Sequence, residues 1–278
     1  MPVLKKIKAV NLACHLLTVY RSITRDHIFS MFMKIVHHLA LGNYNPYNIL
    51  AECSELNFRL MKNSYAKNPW KEHLINLILD DDNPFTLCAA KGVEISPGIR
   101  EAVIHDLELL QTLFQFDLSH IVHIISMDLH EKITMPCWTE PEAKQRNIDQ
   151  YSREICDAFY HATNWRDLFS VLKQYHQCTG AGIFRRYKAF LWDKKSKALK
   201  GIMNPDPTRL SDLIGYHSQK QTILQNTEQF LAGLPANNLL LYGEKGTGKS
   251  SMIKALIHEY GDRKLRLIEM FKDRKSVV

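Results

Sequence analysis

Thirteen consecutive residues carry the clearest chemistry in the chain: Leu239-Leu240-Leu241-Tyr242-Gly243-Glu244-Lys245-Gly246-Thr247-Gly248-Lys249-Ser250-Ser251. From Gly243 onward they fit G-x-x-x-x-G-K-[ST], the spacing of a phosphate-binding loop. Gly243 opens the pattern, and Gly246 and Gly248 let the backbone curl so that successive N–H groups face a phosphate chain. Lys249 is then placed to reach the β- and γ-phosphates, and the Ser250 hydroxyl to sit on Mg²⁺. A helix starting near Lys249 would present its positive end to the same anion. The ligand expected from this chemistry is ATP or ADP with Mg²⁺.

Such a loop needs a strand before it and a helix after it. The apolar run Leu239–Tyr242 predicts the strand, and Ser251 to Tyr260, closed by Gly261, predicts the helix. A strand over Leu265–Met270 and a charged tail from Phe271 to Val278 complete the chain. No apolar run ending in an acidic pair follows the loop, so the element that would hold water for hydrolysis is missing. The expectation is a chain truncated after its first βαβ unit, able at most to bind nucleotide. Leu77-Ile78-Leu79-Asp80-Asp81 has apolar residues ending in acids, but it lies upstream and reads as a helix running into an acidic loop.

The first 178 residues read as helical. Apolar residues recur at three- and four-residue steps over 4–20, 26–41, 47–62, 69–79, 98–116 and 164–176. Pro97 marks a helix start, and Ile104, Leu107, Leu110 and Leu113 make its buried stripe. From 179 to 206 the texture changes to a connector. In it, aromatic-rich Ile183–Trp192 is expected to pair back on Leu199–Ile202 as a short hairpin. Asn204-Pro205-Asp206-Pro207 then marks a boundary, and an amphipathic helix is expected from Ser218 to Ala232. The domains read are 1–178, 179–206 and 207–278.

Charge follows this division. Residues 1–180 hold 18 Lys and Arg against 20 Asp and Glu, whereas residues 181–278 hold 18 against 9. Arg185, Arg186 and Lys188 among aromatics suggest a nucleic-acid surface, a reading less favoured than a hairpin packing its rings. Cys14, Cys53, Cys88, Cys137, Cys156 and Cys178 form no C-x-x-C pair, which points to reduced thiols and a cytoplasmic protein. No apolar run reaches membrane-spanning length. His120, His123, Asp128 and His130 lack a ligand pattern for a metal.

Leu210-Ser211-Asp212-Leu213-Ile214-Gly215-Tyr216, then Asn226-Thr227, Phe230 to Asn238 and Gly246 to Ser251 together resemble the opening of an AAA+ ATPase module. The run is similar to a family of uncharacterised bacterial P-loop ATPases with a helical N-terminal region ahead of one AAA+ domain. The resemblance implies a mainly α N-terminal domain followed by the start of an α/β, AAA+-like domain, here incomplete. It also implies that Leu213, Ile214 and Gly215 border the adenine. Gly243, Gly246, Thr247, Gly248, Lys249, Ser250 and Ser251 would hold the phosphates. Oligomers are common in such proteins, and remodelling a protein partner is the work implied for the full-length forms. A second reading makes residues 1–178 a non-enzymatic interaction module and the loop vestigial.

Overall fold

A computed structural model describes residues 2–63, 68–135 and 150–271. Cys137 and the tail beyond Phe271 lie outside the described residues. The chain divides into two compact units, Met1–Gln177 and Cys178–Val278.

The first unit is helical. It contains α1 (Pro2–Leu16), α2 (His27–Leu41), α3 (Pro46–Asn63), α4 (Pro69–Asp80), α5 (Pro84–Lys91), α6 (Pro97–Phe114), α7 (Ser119–Leu129) and α8 (Gln150–His161). A 3-10 turn, Trp165–Leu168, leads into α9 (Phe169–Thr179). Side-chain caps fix several starts. Asp26 accepts from Phe29 N–H, Asn68 from Lys71 N–H, and Ser96 from Ile99 N–H just before Pro97. Leu77–Asp80 end α4, so the upstream acidic pair closes a helix rather than a strand.

The centre of this unit is aromatic: Trp70 lies 4.2 Å from Phe32 between ring centroids, and Phe32 5.8 Å from Phe116. One carboxylate is fully buried there. Asp106 on α6 accepts from Thr18 N–H at 3.1 and 2.9 Å, Thr18 Oγ1 at 3.1 Å and Tyr20 N–H at 2.9 Å. It thereby satisfies the main chain where α1 gives way to a turn. His120, offered above as part of a cluster, stacks on Phe116 and meets Lys6, while Asp128 accepts from the Tyr44 hydroxyl.

The second unit is a small α/β assembly. After α10 (Gly182–Arg186), β1 (Ala189–Asp193) and β2 (Ala198–Ile202) form an antiparallel hairpin with Ala189 opposite Ile202. The segment Ile183–Trp192 is therefore a strand only in its second half. Its first half is helical and lays Phe184 on Phe190, 5.1 Å between centroids. Gly201 is required by this packing: a Cβ there would run into the Tyr187 ring. Next come α11 (His217–Leu231), α12 (Lys249–Tyr260) and β3 (Leu267–Glu269). β3 pairs parallel to β1, giving the order β2-β1-β3.

The core joining α11 and α12 is small. Ile223, Met252, Leu256 and Tyr260 are buried, with Leu213, Leu241 and Leu265 packed partly against them. Arg266 fastens the hairpin side. Its guanidinium donates to Phe184 O at 2.6 Å, Gly261 O at 2.8 Å and Thr179 O at 3.1 Å.

One expected element changes. Leu239–Tyr242 forms no strand, and no strand among the described residues pairs with it. Instead, the Asn226 side chain on α11 holds the backbone of Asn237.

Candidate functional site: a glycine-lined loop at a helix start

The turn from Leu239–Tyr242 into α12 is built by glycines in the left-handed half of backbone space. Gly243 has φ 138°, Gly246 φ 86° and Gly248 φ 76°. A side chain at any of the three would strain the loop. Gly248 is the N-cap of α12 and offers no side chain, and no other side chain caps this helix start. The first-turn N–H groups of Lys249, Ser250 and Ser251 are therefore left for an outside acceptor.

Lys249 turns back over its own loop. Its ammonium donates to Gly243 O at 3.0 Å, to Glu244 O, and to Thr247 Oγ1 at 3.0 Å. Thr247 Oγ1 in turn donates to Glu244 O at 2.9 Å. A positive charge is thus held over the hollow of the loop by neutral acceptors alone. Ser250 is exposed and Ser251 half-buried at the same helix start.

The three residues expected beside the base are distributed unevenly. Leu213 approaches the loop, its Cδ2 3.7 Å from where a Cβ on Gly248 would stand. Gly215 has φ 79° and lets the chain swing into α11. Ile214 points to solvent, 93% exposed. Lys220 ties this turn down by donating to Leu210 O at 3.1 Å and to Leu213 O.

An open cavity of about 440 Å³ borders the loop, lined by Thr247 and Lys249 together with Tyr216, Gln219, Thr222 and Tyr242. None of the last four was named from the sequence as a site residue. Their position at the start of α11 and just before the loop brings them to it. The residues present suit a polyphosphate: main-chain N–H donors, one ammonium, and a serine hydroxyl at a helix start. In contrast, part of the basic character of this unit is structural. Lys188 pairs with Asp262 at 2.5 Å and Lys254 with Glu269 at 3.0 Å. Burial pulls the Arg266 guanidinium below its ordinary pKa while it clasps the carbonyls of Thr179, Phe184, Gly261 and Leu265.

Residues 185–277 match a family described as "Protein of unknown function (DUF815)". Over 81 residues the chain is 37% identical to the protein named "Replication factor C large subunit" of Staphylothermus marinus. That match covers 27% of this chain and 18% of the relative's length. No solved structure matches the chain. The two sequence matches support a relationship to AAA+ ATPase-like proteins.

Proposed function

We propose that residues 207–271 bind ATP with Mg²⁺ as an AAA+-like nucleotide-binding module. Gly243, Gly246, Thr247, Gly248, Lys249, Ser250 and Ser251 surround the phosphates in this reading, and Leu213, Ile214 and Gly215 flank the base. The observation that carries it is the conjunction at one helix start. Three left-handed glycines lead to first-turn N–H groups with no side-chain cap, beneath an ammonium held by neutral oxygens. On binding, the Lys249 ammonium exchanges those oxygens for charged phosphate oxygens, and the α12 N–H groups take up the rest. Ser250 would ligate Mg²⁺ in this reading, and the ion would supply charge neutralisation to the phosphates.

The activity proposed is binding. The helical domain, residues 1–178, is proposed to serve a protein partner, with 179–206 as the connector. Calorimetric titration of the purified chain with Mg-ATP and with ADP tests the reading. Saturable uptake of one nucleotide per chain, weakened by EDTA in the case of ATP, is the expected result. A folded chain that releases or absorbs no heat with either nucleotide, and is not stabilised by them in a thermal melt, overturns it.

A further inference from the structure

Much of the basic excess of the second unit is used internally. Lys188 and Lys254 are paired with acids, Arg266 clasps carbonyls and Lys249 belongs to the loop. The turn of the hairpin is different. β1 and β2 are joined by Lys194-Lys195-Ser196-Lys197, and all four residues are exposed.

Asp193 is the one acid between residues 181 and 205. Its carboxylate is used inside the hairpin, accepting from Lys195 N–H at 2.9 Å and pairing with Lys200 at 2.5 Å. Among the described residues, no acid pairs with the ammonium of Lys195 or Lys197. Lys197 has φ 51°, in the left-handed region that favours glycine or asparagine. The turn itself gains nothing from a lysine at that position.

Aromatic rings adjoin this tip. In the hairpin register Phe190 stands opposite Gly201, and Trp192 opposite Leu199. Positions two apart along a strand share a face. The Tyr187 ring, laid where a Cβ on Gly201 would stand, is therefore on the same face as Trp192. Both residues are half-buried, which leaves part of each ring in water.

We infer that this hairpin binds single-stranded nucleic acid, with Lys195 and Lys197 on the phosphates and bases stacked on Trp192 and Tyr187. Exposed lysines alone would suit any polyanion. The rings choose among polyanions: a single strand offers base faces for stacking, a duplex hides them, and a lipid headgroup has none. The cations in this reading are those of the turn, since Lys188 is already paired with Asp262.

Fluorescence anisotropy of a labelled oligothymidylate tests this on the full chain, in a salt series rising from about 50 mM. Saturable binding that weakens with salt is expected. Lys195→Gln combined with Lys197→Asn should weaken it tenfold or more and flatten the log–log salt slope by about 1.4, from two phosphate contacts at about 0.7 each. Asparagine suits the left-handed turn position, so the hairpin is kept. Lys5→Gln combined with Lys8→Gln makes an equal charge change at exposed positions of α1 and should leave affinity and slope unaltered. Trp192→Leu should weaken binding about five- to 150-fold with the slope unchanged, and Trp192→Phe should restore most of it.

Five outcomes overturn the inference: no saturable binding, an unchanged slope in the turn variant, an equal loss in the α1 variant, parental affinity in Trp192→Leu, or a duplex bound as tightly as the single strand. Vesicles containing phosphatidylserine are tested in parallel. Retention on them without oligonucleotide binding would overturn it too, and would assign the turn to a membrane surface.

Discussion

Replacing Lys249 with Met keeps most of the side chain's bulk and removes its charge. In the chain alone the ammonium makes hydrogen bonds to Gly243 O, Glu244 O and Thr247 Oγ1. These acceptors lie within six residues, and Gly243 and Glu244 are exposed, so losing them perturbs the loop and not the packing of α12. The cost to folding should be below about 1 kcal/mol. With nucleotide the balance differs. Two contacts to phosphate oxygens, at about 1.5–3 kcal/mol each for bonds to charged groups, replace three bonds from the ammonium to neutral oxygens, taken at about 0.5 kcal/mol each in reach of solvent. The net loss on Lys249→Met is then about 1.5–4.5 kcal/mol, roughly a tenfold to two-thousandfold rise in Kd for ATP. Calorimetry with ATP and ADP on both proteins reads this, and urea unfolding without ligand confirms that the variant is folded. A Kd within threefold of the parent would refute the reasoning, because the ammonium would then not lie in the anion's path.

Three further outcomes follow from the described contacts. Asp106→Ala strands the N–H groups of Thr18 and Tyr20 in the interior and should lower the urea-derived stability of the helical unit by about 3–5 kcal/mol; a loss under 1 kcal/mol would contradict the buried geometry. Gly201→Ala drives a Cβ into the Tyr187 ring, and near-ultraviolet dichroism of the hairpin aromatics should change with a destabilisation of about 1–3 kcal/mol, whereas an unchanged spectrum and melt would count against that contact. Burial pulls the Asp26 carboxyl upward, but bonds from His73 and from Phe29 N–H outweigh it and leave its pKa lowered. Its contribution is therefore complete above the unfolded value of about 3.9 and is lost as pH falls through the lower folded value. Asp26→Asn should flatten the stability profile of the helical unit over that acid window, and an unaltered profile would show that the cap does not titrate with folding.

Much of the helical unit was legible because its helices obey simple rules. Three- and four-residue apolar spacing marks α2, α3, α4 and α6, and Ser96-Pro97 marks a start that the capping bond reproduces. The helices that escaped notice have weaker signals. α5 has only eight residues, α7 interrupts its apolar run with His120 and His123, and α8 is mostly polar along its length. Ile183–Tyr187 misled for a different reason: its aromatics have strand propensity, but the turn into β1 places Phe184 best from a helix.

For the site, loop glycines and Lys249 are readable because a fixed spacing dictates their geometry. The direction of the Lys249 side chain is not readable, since it depends on carbonyls oriented by the glycine dihedrals. Tyr216, Gln219 and Thr222 reach the cavity only through the packing of α11. The strand expected at 239–242 does not form, and its composition could not show this, because strand pairing is decided by neighbours distant in sequence.

The core behind the loop contains four buried residues, Ile223, Met252, Leu256 and Tyr260, against an aromatic interior in the helical unit. Whatever binds the folded form of this unit governs how often it opens. At one hundred times its Kd a ligand adds about 2.7 kcal/mol to such a unit. With the nucleotide proposed above as that ligand, the stretch from Cys178 onward would resist proteases better the more nucleotide surrounds it.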